Sequence, residues 1–274
     1  MKFKHTLLLL PVFALCACGA KDLSQVEAVK RANDILAAQE GITELPAKLT
    51  AVQETKTHAE TSEGTTDAYV KSTYVIADLF ASTSTYYEGT DVTPYRLAEY
   101  VYIQDGYLVA LISMTSDGET NGSYIKIQVG NETYTKIQEV VDFADDQLAS
   151  LSLKLHDVDD ILYSEVLQNL ESKYLTEEQI ALLGYSDYSF TAKSSGEGHL
   201  RIEASATLTT LSRTNTAKTV AEWTNNFVTL ISISNKNVSE EEKSDVGVKL
   251  TFNYSAKVAY PDLTNFEDIT PKMS

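Results

Sequence analysis

Cysteine is nearly missing from this chain: there are two in 274 residues, both within the first twenty, at Cys16 and Cys18. The remaining sequence therefore has no thiol pair for a disulfide and no thiolate for a Cys-ligated metal. Basic residues are also scarce, 22 against 39 acidic ones, for a formal charge of -17. A surface of that sign repels phosphate polyanions and anionic lipid head groups, which argues against nucleic acid as a partner and against a basic membrane patch. No apolar run approaches the roughly 20 residues needed to cross about 30 Å of hydrocarbon as a helix. There is no Gly-rich phosphate loop either, so nucleotide binding and phosphoryl transfer have no motif to support them.

What is present begins with the leader. Met1-Lys2-Phe3-Lys4 is followed by an apolar run from Leu7 to Leu15, the layout of a secretory signal peptide. The run ends in Leu15-Cys16-Ala17-Cys18-Gly19, which resembles the lipobox of bacterial lipoproteins. That resemblance implies a diacylglyceryl group on the Cys18 sulfur and cleavage before Cys18. Cys16 is the competing site, but it would place bulky Leu15 before the cut and Phe13 where an aliphatic residue is preferred. Two or more acyl chains suffice for stable anchoring. The expectation is residues 1-17 as signal peptide and a cell-membrane protein, lipid-anchored at Cys18 and facing outside the cytoplasm.

From Gly19 to Ala68 there is no Phe, Trp or Tyr, so the core is expected beyond Ala68. Ser24 and Glu27 form a capping box before Val26, Val29, Ile35 and Leu36, predicting an amphipathic helix over 24-39 that ends near Gly41. Residues 42-66 are polar and read as a solvated tether or as an edge strand around Lys48 to Thr57; both readings stand. The anchor, helix and linker make up residues 18-66, and the main domain occupies 67-274.

Within that domain, Tyr69 to Ala77 and Arg96 to Thr115 are rich in β-branched and aromatic residues, and Asp105-Gly106 is a strong hairpin signal. A two-residue turn there pairs Tyr102 with Val109 and Tyr100 with Leu111 on one side, leaving Val101, Ile103, Leu108, Ala110 and Ile112 on the other. Both faces are apolar, so both must be covered. Capping boxes and periodicity predict a helical insertion over about 138-184, with its last helix opening at Thr176-Glu177-Glu178-Gln179. The final third alternates cleanly. Leu200, Ile202, Ala204, Ala206 and Leu208 share one face, and a last strand is expected to run from Val246 to Tyr260. At about 3.3 Å per residue such a strand would approach 50 Å, too long to stay flat.

These elements predict an α+β fold: a strongly curved, half-barrel-like antiparallel sheet with an N-terminal helix and a helical insertion. In element order and in its Asp-Gly hairpin the chain resembles the LolA and LppX-like lipoproteins and carriers. The resemblance implies an apolar or lipid-like ligand in the concave sheet and carries no functional residue across.

Reactive constellations are sparse. His58, His156 and His199 have no partner at metal-ligand spacing. Asp157-Val158-Asp159-Asp160 lacks the glycine and distal glutamate of an EF-hand and reads as a helix N-terminus. Ser123-Tyr124-Ile125-Lys126 matches Ser-x-x-Lys, but in a strand those two side chains point to opposite faces. Ser194 to Gly198 reads as a hairpin loop, and Glu240 to Lys243 as a charged turn. Tyr86, Tyr87, Tyr95, Tyr100, Tyr102 and Tyr107 are suited to packing, sugar stacking or an apolar pocket. The resulting expectation is a non-catalytic binding module with no cofactor and no metal, Tyr100, Tyr102, Val109 and Leu111 lining a site for an apolar ligand. The alternative is a surface-interaction or glycan-binding lipoprotein without an internal pocket.

Overall fold

The computed structural model describes residues 20-39, 48-77, 79-129, 184-196 and 198-271. A short strand β1 (Lys21–Leu23) precedes helix α1 (Gln25–Gln39). Six strands then form a meander: β2 (Lys48–Thr61), β3 (Gly64–Ala77), β4 (Phe80–Gly89), β5 (Val92–Gln104), β6 (Tyr107–Ser116) and β7 (Glu119–Gln128). A second meander contains β8 (Tyr185–Gly196), β9 (His199–Thr209), β10 (Arg213–Thr224), β11 (Phe227–Ser239) and β12 (Glu242–Asn253). A 3-10 turn at Leu263–Asn265 and a two-residue strand β13 (Glu267–Asp268) follow.

All thirteen strands belong to one sheet, in the order β1-β8-β9-β10-β11-β12-β2-β3-β4-β5-β6-β7-β13. The two meanders are joined where the first strand of one meets the last strand of the other: β2 pairs antiparallel with β12, from Thr50 opposite Asn253 to Thr61 opposite Glu242. The pairing at each edge is short. β1 covers three residues of β8, and β13 pairs in parallel with Ser123 and Tyr124 of β7. Short strands of this kind reduce the unpaired backbone offered to another chain.

Helix α1 opens as its capping box dictates. The Ser24 hydroxyl accepts from the Glu27 amide at 3.3 Å, and the Glu27 carboxylate accepts from the Ser24 amide at 3.0 Å. Its buried face is made of Ala28, Ala32 and Ile35, whereas Val26 is exposed. Small residues let the helix approach the sheet closely, which the expected stripe through Val26 would not. On the sheet face toward α1, the core includes Leu49, Ala51, Tyr74, Ala192, Leu200, Ile202, Ala221, Trp223, Val228, Ile231, Leu250 and Phe252. These come from seven adjacent strands, about 29 Å across at 4.8 Å spacing, while a helix is only about 10 Å wide. The sheet is curved, and Trp223 is among the largest side chains fully buried on it.

Several expectations need correction. The fold is not α+β: the described residues form one large sheet and a single α-helix. The helical insertion expected over 138-184 falls outside the described residues, except for Gly184. Lys48–Thr61 is neither tether nor edge but an interior strand between β12 and β3. Its alternate residues Leu49 and Ala51 face the core, a signal muted by the Thr, Glu and Lys that fill the outer positions. The last long strand ends at Asn253 and does not reach Tyr260. The alternation continues beyond Asn253, but those residues leave β11 and turn to a different part of the sheet.

Candidate functional site

The Asp105-Gly106 hairpin forms with the register its turn demands. Both residues have positive φ, 51° and 78°, and Tyr102 lies opposite Val109 and Tyr100 opposite Leu111. On the face away from α1, Tyr102, Val109 and Leu111 are 1–2% exposed, while Tyr100 is half-buried. The cover is the chain's own C-terminal tail. Val258 and Leu263 pack against the Phe80, Tyr102 and Val109 cluster. The Tyr260 ring lies 5.6 Å from Phe80 and 5.1 Å from Tyr102. β13 and the bond from the Ile269 amide to the Tyr124 carbonyl, 3.0 Å, fasten the tail to β7. Burial pushes the Tyr102 phenol above its ordinary value, as the neutral form of an enclosed hydroxyl requires. The four residues expected to line a ligand site are brought together, but three of them are core.

On the α1 face of the same hairpin, Ala81, Ile103 and Leu108 are buried with Ile76, Leu79, Val101 and Val129 packed around them. Farther along this face Leu97, Ile112, Met114 and Ile127 are exposed among the described residues, Ile112 by 63%. The Tyr87 and Tyr95 rings stack nearby at 4.6 Å. The outer face carries a second tyrosine pair, Tyr69 and Tyr86, in edge contact at 6.3 Å.

Cys18 and His156 lie outside the described residues. His199 begins β9 on the polar face, half-buried. His58 sits between two carboxylates, with Nδ1 2.6 Å from Asp67 and Nε2 3.2 Å from Glu60. The hydrogen bond to Asp67, then that to Glu60, raises its pKa. Among the described residues no group of three or more His, Cys, Asp or Glu is arranged to hold a metal ion. Ser123 and Lys126 lie in β7, three apart and so on opposite faces.

A cleft of about 630 Å³ opens at the end of β10, β11 and β12, lined in part by Glu222, Thr224, Asn225, Phe227, Thr251 and Tyr254. The Asn225-Asn226 turn joins β10 to β11 with both residues at positive φ, 53° and 65°. A bulge between Glu222 and Trp223 interrupts the β10–β11 ladder, and bulges re-aim the side chains beside them. The Thr229 hydroxyl donates to the Glu222 carbonyl across it, 3.2 Å. Phe227 and Tyr254 place their ring centroids 4.7 Å apart, and the Tyr254 hydroxyl donates to the Val228 carbonyl at 2.7 Å. Glu222 is held by Arg201 at 2.7 Å. Sequence reasoning did not single out this place; its legible signal was Asn225-Asn226 between two β-rich runs, a two-residue hairpin turn.

No family model matches this sequence, and a search of curated proteins found no match. Among solved structures, the chain is similar to a DUF1329 family protein from Desulfovibrio piger. The likeness has a TM-score of 0.22 and 10% identity over 85% of this chain and 95% of that one. At that level neither fold nor function transfers. No described helix is long and apolar enough to cross a membrane.

Proposed function

We propose that this protein is a lipid-anchored extracytoplasmic binding module that acts without catalysis and engages its partner at the surface, not in an internal pocket. One observation carries this reading: the apolar face built by Tyr102, Val109 and Leu111 is already filled by Val258, Tyr260 and Leu263 of the same chain. A carried ligand would have to displace a packed aromatic cluster. The anchor rests on the lipobox-like Leu15-Cys16-Ala17-Cys18 sequence. The test is native mass spectrometry of the protein with Cys18 replaced, followed by solvent extraction. Surface binding requires that no lipid co-purify.

A second reading keeps the apolar ligand and moves it to the α1 face, where Leu97, Ile112, Met114 and Ile127 are exposed. Exposed apolar patches mark interaction sites more often than inert surface. A co-purified acyl chain whose release depends on Ile112→Glu would establish it.

A further inference from the structure

We infer that the cleft between the Asn225-Asn226 turn and Tyr254 is a binding site for a neutral pyranoside sugar. This inference rests on the surface-binding reading and names the ligand of that surface.

Volume is the first constraint. The cleft is open to solvent and holds about 630 Å³, so a ligand of mono- or disaccharide size would lie against its wall with one side in water, unlike the enclosed pockets typical of small-molecule sites. The second is the pairing of chemistries on the wall. Phe227, Leu230 and Tyr254 supply half-buried apolar surface, while Glu222, Thr224, Asn225, Thr251 and Asn253 supply polar groups. A pyranose has the complementary make-up: a C–H face that lies flat on an aromatic ring and hydroxyls projecting from its edge. A purely apolar ligand would strip water from the Thr and Asn side chains and give nothing back.

Two of the polar groups, Asn253 and Glu222, are also held in place. The Asn253 Oδ1 accepts from the Ser255 amide at 3.0 Å and from its hydroxyl at 2.8 Å. That arrangement fixes the side chain. Thr224, Asn225 and Thr251 make no side-chain hydrogen bond among the described residues, so their capacity is open to a ligand. Glu222 keeps one carboxylate oxygen available, the other being bound by Arg201. The turn itself is braced by the Asn226 amide, which donates to the Gly198 carbonyl at 3.0 Å. Rims fixed before binding lose less entropy when a ligand arrives.

Charge decides between neutral and ionic sugars. Arg201 pairs with Glu222 but is shared with Glu203, and among the described residues no cation lines the cleft to receive a sulfate, phosphate or carboxylate. The chain as a whole, at -17, repels anions.

The experiment is saturation-transfer NMR and calorimetry on the full-length lipidated protein in nanodiscs. The probes are methyl glucopyranoside, methyl galactopyranoside, cellobiose and, for charge, glucuronic acid. Saturable binding of at least one neutral probe is expected, with transfer strongest to the ring protons of one sugar face and none to glucuronic acid. Phe227→Ala and Asn253→Ala should each weaken binding about tenfold or more. Thr251→Val, a near-isosteric change on the face of β12 opposite Leu250 and Phe252, should weaken it while leaving the thermal melt in place, so loss of binding is separable from loss of fold. No saturable binding of any neutral probe, or equal binding by these variants, overturns the site. If the sugars fail and extraction yields no lipid, the sugar site alone falls; if they fail and a lipid is found, the surface-binding reading falls with it.

Discussion

The ring of Tyr260 meets that of Tyr102 edge-on, with centroids 5.1 Å apart and planes inclined by 62°. Tyr102 belongs to the central hairpin strand β5 and Tyr260 to the tail beyond the last long strand. Their contact turns an exposed apolar sheet face into a second core. Tyr260→Ala should therefore destabilise the protein by about 1–2 kcal/mol, although Tyr260 itself is half exposed. Urea unfolding measures it, and an apolar fluorescent dye should bind the variant more than the parent. An unchanged midpoint with no dye binding would show that the tail is ornamental.

Tyr102, at 1% exposure, responds differently. Tyr102→Ala should cost about 3–5 kcal/mol, the range for deleting a buried aromatic. Tyr102→Asp should prevent folding, because it buries a carboxylate with no partner. A folded Tyr102→Asp protein with normal circular dichroism would mean the face is open after all.

Two glycines test backbone geometry by separate routes. At Gly106, φ is 78° and the space around an added Cβ is empty, so Gly106→Ala should cost about 1–2 kcal/mol through conformation alone. At Gly122 the conformation is ordinary, but an added Cβ would collide with the Ile112 carbonyl and with Ser113. Gly122→Ala should cost about 1–3 kcal/mol by overpacking. Parent-like melts for both would remove the assigned hairpin register.

His58 makes stability depend on pH. Its folded pKa is raised by Asp67 first and Glu60 second. The stabilisation is thus complete below the unfolded value of about 6.5 and disappears as pH rises through the higher folded value. His58→Gln should lower the melting temperature at pH 5.5 and leave it nearly unchanged at pH 9. The effect is small, because the ring is open to solvent, and a two-dimensional NMR titration of the imidazole gives the same answer directly. A His58 pKa at or below the ordinary value would contradict the bracketing by Asp67 and Glu60.

Cys18→Ala should abolish incorporation of a fatty-acid analogue and release the protein from the membrane. Unchanged labelling would transfer the anchor to Cys16 or remove it.

Local features were readable without coordinates. The Ser24–Glu27 capping box, the Asp105-Gly106 turn and the Tyr102–Val109 register all depend on residues close in sequence and on a side-chain period of two. The same logic failed where alternation continued without a partner strand. From Ser255 to Tyr260 the pattern still reads as a strand, but no neighbouring strand pairs with those residues. The cleft was missed for a related reason: its wall joins Glu222, Phe227 and Tyr254, whose meeting depends on a bulge and on the register of three strands.

Sequence alone determined the scarcity of cysteine, the acidic balance, the capped helix, the hairpin turn and the apolar nature of both hairpin faces, because each is a property of neighbouring residues. Tertiary structure decided what covers those faces and which strands adjoin. Lys48–Thr61 became an interior strand only because β12 arrived beside it, and Tyr260 became a core contact only because the tail crossed to β5. Such pairings depend on burial and backbone bonds between segments far apart in the chain, and no local pattern encodes which distant partner completes them.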